Sequence, residues 1–153
     1  MITATHHSGF VVKDLTRAVK FYRDVMGLKI YDSFDLDGEE LSRGLGYENA
    51  HIRGALLWAG PGHILELIEY INPPLIERPT EDRNALGAGH FAFTVDDCEK
   101  TYRMLIRKGV RVLNPPAEPL PGVKICYMQD SEGNWVELVE ISDTRTPTND
   151  LGF

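Results

Sequence analysis

Two histidines and two glutamates are the residues of this sequence best suited to chemistry, because they stand at matching positions in two similar stretches. His7 and His90 each lie near the start of a segment that reads as a strand, and Glu66 and Glu137 each lie in a later apolar segment. A carboxylate among apolar neighbours is costly to bury unless it is paired, protonated or bound to a metal. Two imidazoles and two carboxylates at one point would suit zinc, nickel, cobalt, iron(II) or manganese. The four side chains therefore predict a divalent metal site.

An internal repeat is what would bring these side chains together. The segments that start at His7 and His90 share a phenylalanine, a valine and an aspartate at the same offsets from the histidine. The later segments share the pattern Gly-x-x-x-Glu-Leu-x-Glu, which starts at Gly62 and at Gly133. If a pseudo-twofold rotation relates the two halves, the histidine and glutamate of one half meet those of the other.

Strand alternation predicts which side chains share a face. His7 is expected on the same face as Gly9, and His6 is expected to point the other way. Glu66 falls among apolar neighbours, whereas Glu69 falls on the opposite face of the same strand. The second copy repeats this arrangement, so each half offers one carboxylate on an apolar face.

Each half of the chain is predicted to run strand, helix and then three strands, which is an α+β fold. In both helices apolar residues recur at spacings of three and four, an aspartate stands at the N-cap position and a glycine follows the last turn. The expected strands are 5–12, 28–34, 52–59 and 63–70, then 89–95, 110–113, 123–129 and 134–141, with helices at 15–26 and 97–108. A linker rich in proline and charge, 71–88, joins the halves, and 143–153 shows no periodicity.

Four motifs carry a resemblance to a known family. They are His7-x-x-x-Val11-x-Lys13-Asp14-Leu15, Phe21-Tyr22-Arg23-Asp24-Val25-Met26-Gly27-Leu28, Gly89-His90-Phe91-Ala92-Phe93-x-Val95 and Asp130-x-x-Gly133-Asn134-x-x-Glu137-Leu138. Together they resemble the vicinal oxygen chelate superfamily, which contains glyoxalase I, methylmalonyl-CoA epimerase, extradiol dioxygenases and the fosfomycin and bleomycin resistance proteins. The resemblance implies paired βαβββ modules, about 5–70 and 89–141, that form a half-open, glyoxalase-like barrel in one domain, 1–153. It also implies a homodimer.

The resemblance to glyoxalase I implies that His7, Glu66, His90 and Glu137 are all metal ligands. It implies an isomerase, epimerase or lyase that moves a proton beside a carbonyl of a small molecule or thioester, as lactoylglutathione lyase and methylmalonyl-CoA epimerase do. A divalent cation supplies Lewis acidity to the carbonyl oxygen, and a nearby carboxylate takes the proton. Glu137 is implied as this base, and Glu66 as a ligand and a second acid or base.

Two positions depart from the glyoxalase I pattern. Bacterial members usually carry an arginine where this chain has Val11, and an asparagine where it has Tyr70. The arginine is used on glutathione, so the departures argue against a strictly glutathione-dependent lyase. Whether glutathione or coenzyme A is used stays open, as do the native metal and whether one chain or two supply the ligands.

Two other functions are compatible with the resemblance. An extradiol dioxygenase binds iron(II) through two histidines and one carboxylate, here His7, His90 and Glu137. A fourth anionic ligand, Glu66, would occupy space needed by oxygen or catecholate, which argues against that function. A non-catalytic binding protein of the bleomycin-resistance type lacks the metal ligands, whereas all four are present in this chain.

Composition and charge argue against several classes of partner. The formal net charge is −7 and the pI about 5.2, whereas a nucleic-acid binder needs a basic stripe to displace counterions. No apolar run is long enough to cross a bilayer, and the N-terminus lacks the pattern of a signal peptide. Cys98 and Cys126 form no disulfide framework. We expect a cytoplasmic protein that acts on a small molecule and contacts neither nucleic acid nor membrane.

Overall fold

The computed structural model describes residues 1–142, and the aperiodic segment 143–153 lies outside the described residues. The chain divides into two compact units. The first contains Met1–Phe91 and Gln129–Trp135, and the second contains Ala92–Met128 and the described residues from Val136 onward. Within 1–142, no helix is both long enough and apolar enough to span a membrane.

The first half of the chain forms a four-stranded sheet in the order β1-β4-β3-β2. Strand β1 is parallel to β4, whereas the β2–β3 and β3–β4 pairs are antiparallel. The elements are β1 (Ser8–Val11), α1 (Leu15–Lys20), β2 (Lys29–Asp37), α2 (Glu39–Leu45), β3 (His51–Gly60) and β4 (His63–Asn72). A π-helical turn, Phe21–Val25, continues α1.

Helix α1 packs on one face of this sheet, against β3 and β4. Asp14 caps the helix by accepting a hydrogen bond from the Arg17 amide, as the sequence predicts. Gly27 has φ +80°, a left-handed conformation that glycine adopts without steric cost, and it follows the last turn as expected. The buried side chains of this unit include Ala18, Tyr22, Leu57, Leu65 and Leu67.

The 130–134 turn, which joins the last two strands of the chain, belongs to the first unit. Its Asp130 carboxylate accepts hydrogen bonds from the Tyr22 hydroxyl at 2.8 Å and from the Glu132 and Asn134 amides. Glu132, with a side chain 3% exposed, accepts a hydrogen bond from the Arg17 guanidinium at 2.6 Å. Burial and the neighbouring Asp130 carboxylate raise the pKa of Tyr22 well above its ordinary value, so its hydroxyl stays a donor.

The second half forms a four-stranded sheet in the order β5-β8-β7-β6. Its elements are β5 (His90–Thr94), α3 (Cys98–Arg107), β6 (Ala117–Leu120), β7 (Val123–Gln129) and β8 (Trp135–Ile141). Asp97 caps α3 through the Lys100 amide. The buried side chains here include Cys98, Leu105, Met128, Val136 and Leu138.

Two details differ from the sequence predictions. The strand expected at 110–113 is reduced to one isolated bridge between Val112 and Met128, and the sheet is completed by β6 instead. Pro115 and Pro116 follow this segment and cannot donate ladder hydrogen bonds, which stops the strand early. Helix α2, Glu39–Leu45, lies between the predicted strands 28–34 and 52–59, where the sequence analysis predicts no helix. Gly44 lies inside this helix, and glycine is unfavourable in a helix interior.

Candidate functional site

Glu66 lies in strand β4, and His7 directly precedes strand β1. In β4, Leu65 and Leu67 are fully buried, so alternation places Glu66 on the other face of the sheet. Gly9 lies directly across from Glu66 in the parallel register. A Cβ atom at Gly9 would lie 3.2 Å from Glu66 Oε2, so the missing side chain leaves room for the carboxylate.

His7 and Glu66 lie close together in the structure. His7 Nε2 lies 3.1 Å from Glu66 Oε2, and the two side chains are 39% and 14% exposed. Two donor atoms each about 2.1 Å from one ion, and about 90° apart around it, are about 3.0 Å from each other. The observed separation therefore fits two adjacent ligands of a divalent metal, and the donor set, one imidazole and one carboxylate, suits the metals predicted from sequence.

The other two candidate ligands lie in the second sheet. His90 is the first residue of β5 and is exposed, and Glu137 lies in β8 and is half-buried. Within residues 1–142, no group of three or more His, Cys, Asp or Glu side chains is arranged to hold a metal ion. The structure thus assembles the His7–Glu66 pair, and its completion by His90 and Glu137 stays a prediction.

His6 contacts His7, although the sequence analysis expects its side chain to point the other way. Its Nδ1 lies 2.7 Å from His7 Nδ1, and the two rings meet edge to face with their centroids 5.0 Å apart. The expectation that His6 points away from His7 is wrong because β1 begins only at Ser8, so strand alternation does not extend to these residues. The sequence did contain a signal for this contact, because the two histidines are adjacent.

A cavity of about 610 Å³ lies beside His90 within the first unit. Its walls include Gly9 and Phe10 of β1, linker residues 78–82 and 85–88, and Trp135. Apolar side chains from β1, the linker and β8 contribute to these walls, which is typical of a site for small molecules.

The predicted linker is tied down where it borders this cavity. The Arg78 guanidinium donates to the Gly133 and Glu132 carbonyls at 2.8 and 2.9 Å and to Asn134 Oδ1 at 3.0 Å. The Trp135 indole donates to the Glu81 carbonyl at 2.8 Å. The segment is therefore a fixed wall rather than a free connection.

The other two glutamates of the repeat, Glu69 and Glu140, lie on the opposite faces of their strands, as alternation predicts. Each is paired with a basic side chain. Arg53 Nη2 lies 2.6 Å from Glu69 Oε2, in register across β3 and β4. Glu140 accepts a hydrogen bond from the Cys98 amide at 2.8 Å and pairs with Lys124 at 2.9 Å. These two donors hold the pKa of Glu140 below its ordinary value.

Comparison with known proteins identifies the family. A family model described as the Glyoxalase/Bleomycin resistance protein/Dioxygenase superfamily matches residues 4–138. The chain belongs to this superfamily. The predicted α+β fold of paired modules is confirmed, and so is the resemblance read from the four motifs.

The relatives within this superfamily include two kinds of enzyme. The chain is 33% identical over 147 residues to a 2-epi-5-epi-valiolone epimerase from Actinomyces sp., a match that covers 90% of this chain and 79% of the relative. It is 29% identical over 166 residues to the lactoylglutathione lyase of Schizosaccharomyces pombe, where the match covers 97% of this chain but only 51% of the lyase. A glyoxalase family protein from Bacillus cereus matches with a TM-score of 0.83 at 24% identity, over 92% of this chain and 95% of that one.

Proposed function

We propose that the protein is a divalent-metal-dependent isomerase, epimerase or lyase that moves a proton at a carbon beside a carbonyl group. The observation that carries the proposal is the 3.1 Å approach of His7 Nε2 to Glu66 Oε2 on one face of the sheet. The named epimerase and lyase among the relatives support the same class of reaction. The substrate would be a small carbonyl compound or a thioester.

In this proposal, His7, Glu66, His90 and Glu137 hold the cation, which would supply Lewis acidity to the substrate carbonyl. The Glu137 carboxylate would take the proton from the adjacent carbon, a role that requires it to lie within hydrogen-bonding reach of that carbon. The Glu66 carboxylate would return or accept a proton as the second acid or base. An epimerase needs both, since the proton leaves one face of the carbon and returns to the other.

The His7–Glu66 pair also bears on the dioxygenase alternative. A ligand set of two histidines and one carboxylate leaves positions open for oxygen and a catecholate. A Glu66 carboxylate next to His7 would occupy one of them. The geometry of the pair therefore favours proton transfer.

Glu137→Gln tests the assigned base. The purified full chain would first be analysed for metals, and each variant would then be followed by deuterium exchange into keto acids, hemithioacetals and acyl thioesters. We expect Glu137→Gln to lose about 100-fold or more of the exchange rate while keeping some bound metal, because positioned proton transfer contributes about 10²–10⁴-fold. Glu69→Gln removes a carboxylate from the opposite face of β4 and should keep the wild-type rate. An unchanged rate in Glu137→Gln would contradict the role of this residue.

We further propose that the protein acts as a homodimer, and a heterodimer test decides which chain supplies the ligands. Glu66→Gln and Glu137→Gln copies would be co-expressed with different tags and purified as the mixed dimer. If each site takes His7 and Glu66 from one copy and His90 and Glu137 from the other, one of the two sites is intact and about half the wild-type turnover returns. If each site lies within one chain, the mixed dimer is as inactive as either parent.

A further inference from the structure

Each nitrogen of the His7 ring has one polar neighbour. Nε2 faces Glu66 Oε2 at 3.1 Å, and Nδ1 faces His6 Nδ1 at 2.7 Å. Residues 1–7 contain no regular secondary structure, and both His6 and His7 are exposed. Because packing does not hold the His7 ring, these two contacts decide which nitrogen it presents to Glu66.

The chemistry of imidazole assigns the proton between the two rings. A neutral imidazole carries one N–H, so a ring that offers its Nε2 lone pair to a cation carries the proton on Nδ1. His7 Nδ1 then donates to His6 Nδ1, which must be the acceptor. Histidine ligands in metal sites almost always donate their second N–H in this way, which fixes the tautomer and strengthens the ligand.

We propose that His6 is a positioning residue, which holds the His7 ring with Nε2 directed at the metal position beside Glu66. The inference rests on the proposed metal site and adds to it a residue that touches neither metal nor substrate. Its contribution would come through the orientation and the basicity of His7. The acceptor comes from the preceding residue, His6, and the paired part of β1 begins one residue after His7, at Ser8.

Two conservative variants separate this role from a general loss of structure. The side-chain oxygen of asparagine stands at the position of histidine Nδ1, and that of glutamine stands near the position of Nε2. His6→Asn should therefore keep an acceptor for His7 Nδ1, whereas His6→Gln and His6→Ala should lose it. His63→Ala, which removes another exposed histidine at the start of β4, serves as the matched control.

The measurement is the affinity of the metal-stripped full chain for Zn²⁺ and for Co²⁺, by titration against a competing chelator. We expect His6→Ala and His6→Gln to bind about tenfold more weakly, at the low end of the 10–100-fold loss typical of such partners, because His6 is exposed. His6→Asn and His63→Ala should stay within about twofold of the wild type. The visible absorption of bound Co²⁺ should shift in His6→Ala and return toward the wild-type spectrum in His6→Asn.

The outcomes separate this inference from the proposed function. If His7→Ala weakens binding but His6→Ala matches the wild type, the metal site stands and the role of His6 is overturned. If His6→Asn is as weak as His6→Ala, the acceptor at the Nδ1 position is not what matters, and the role is again overturned. Failure of the wild type to bind either metal would overturn both the metal site and the inference.

Discussion

Gly54 and Phe34 form a contact whose energy can be worked out from their distances. They lie opposite each other in the β2–β3 register, and a Cβ atom built on Gly54 would lie 2.1, 2.5 and 2.8 Å from three ring carbons of Phe34. Carbon atoms in contact settle at about 3.5–4.0 Å, so the ring would have to move by about 1.5 Å to admit a methyl group. Overpacking of this kind costs about 1–3 kcal/mol.

Gly54→Ala also gains stability through the unfolded state, because alanine restricts the unfolded chain more than glycine does, by about 0.4–1 kcal/mol. We therefore expect the variant to lose about 1–2 kcal/mol of unfolding free energy in the wild-type background. In a Phe34→Ala background the obstruction is gone, and the same change should stabilise the protein by about 0.5 kcal/mol.

Urea unfolding of the four proteins in this double-mutant cycle measures both effects. Gly44→Ala is the matched control, since a Cβ atom there meets nothing within 4 Å and the residue lies inside α2. It should stabilise the protein by about 0.5–1 kcal/mol. A Gly54→Ala effect of the same size and sign in both backgrounds would refute the reasoning, because the Phe34 ring would then not be the obstacle.

Three further predictions concern titratable side chains. Tyr22→Phe should lower the free energy of unfolding in urea by about 1.5–3 kcal/mol, since the buried Asp130 carboxylate loses a hydroxyl donor, and a loss below about 0.5 kcal/mol would contradict this. Cys98 and Cys126 should resist alkylation by iodoacetamide at pH 8 until urea is added, because both are buried and burial raises the pKa of Cys126 to about 11. Mass spectrometry of the alkylated protein checks this, and alkylation of the folded protein would count against it. Glu140→Gln should make the free energy of unfolding fall less steeply as the pH is lowered. The Cys98 amide and a neighbouring lysine keep the pKa of Glu140 in the folded protein below 4.5, so the stabilisation by its carboxylate is present above pH 4.5 and is lost as the pH falls through the folded-state pKa. Urea unfolding of both proteins across this pH range measures the difference.

The repeat made most of the fold predictable from the sequence. Both helices were expected within two residues at their starts, because Asp14 and Asp97 are N-caps with a local physical cause. The strand predicted at 63–70 is observed as His63–Asn72, since its alternation between buried and exposed faces is strong. Local capping and periodicity therefore account for the elements that carry the candidate ligands.

The displaced second strand of the second half, β6, was not predictable in the same way. All four residues of Ala117–Leu120 are exposed, so this strand has no alternating pattern to read. Its position depends on pairing with β7, in which Leu120 lies opposite Val123. Such a strand is set by a partner elsewhere in the chain, which single-sequence patterns do not reveal.

The candidate site was predictable as a set of residue types but not in its local contacts. His7 and Glu66 followed from repeat positions and from alternation in the strand that carries the glutamate. The His6 contact depends on where β1 begins, and strand boundaries are uncertain by a few residues in any such prediction. The Arg78 contacts with the 130–134 turn join segments far apart in sequence, so composition could show only that the linker is charged.

The 130–134 turn has a consequence for how this duplicated protein can be divided. The first unit takes Gln129–Trp135 from the second half of the chain, where Asp130 meets Tyr22 and Glu132 meets Arg17. A fragment that ends before this turn would leave a buried hydroxyl without its carboxylate, at a cost of about 1–3 kcal/mol. One half therefore cannot be exchanged for that of a relative by itself. In a chimaera, the 130–134 turn and the first helix must come from the same parent protein.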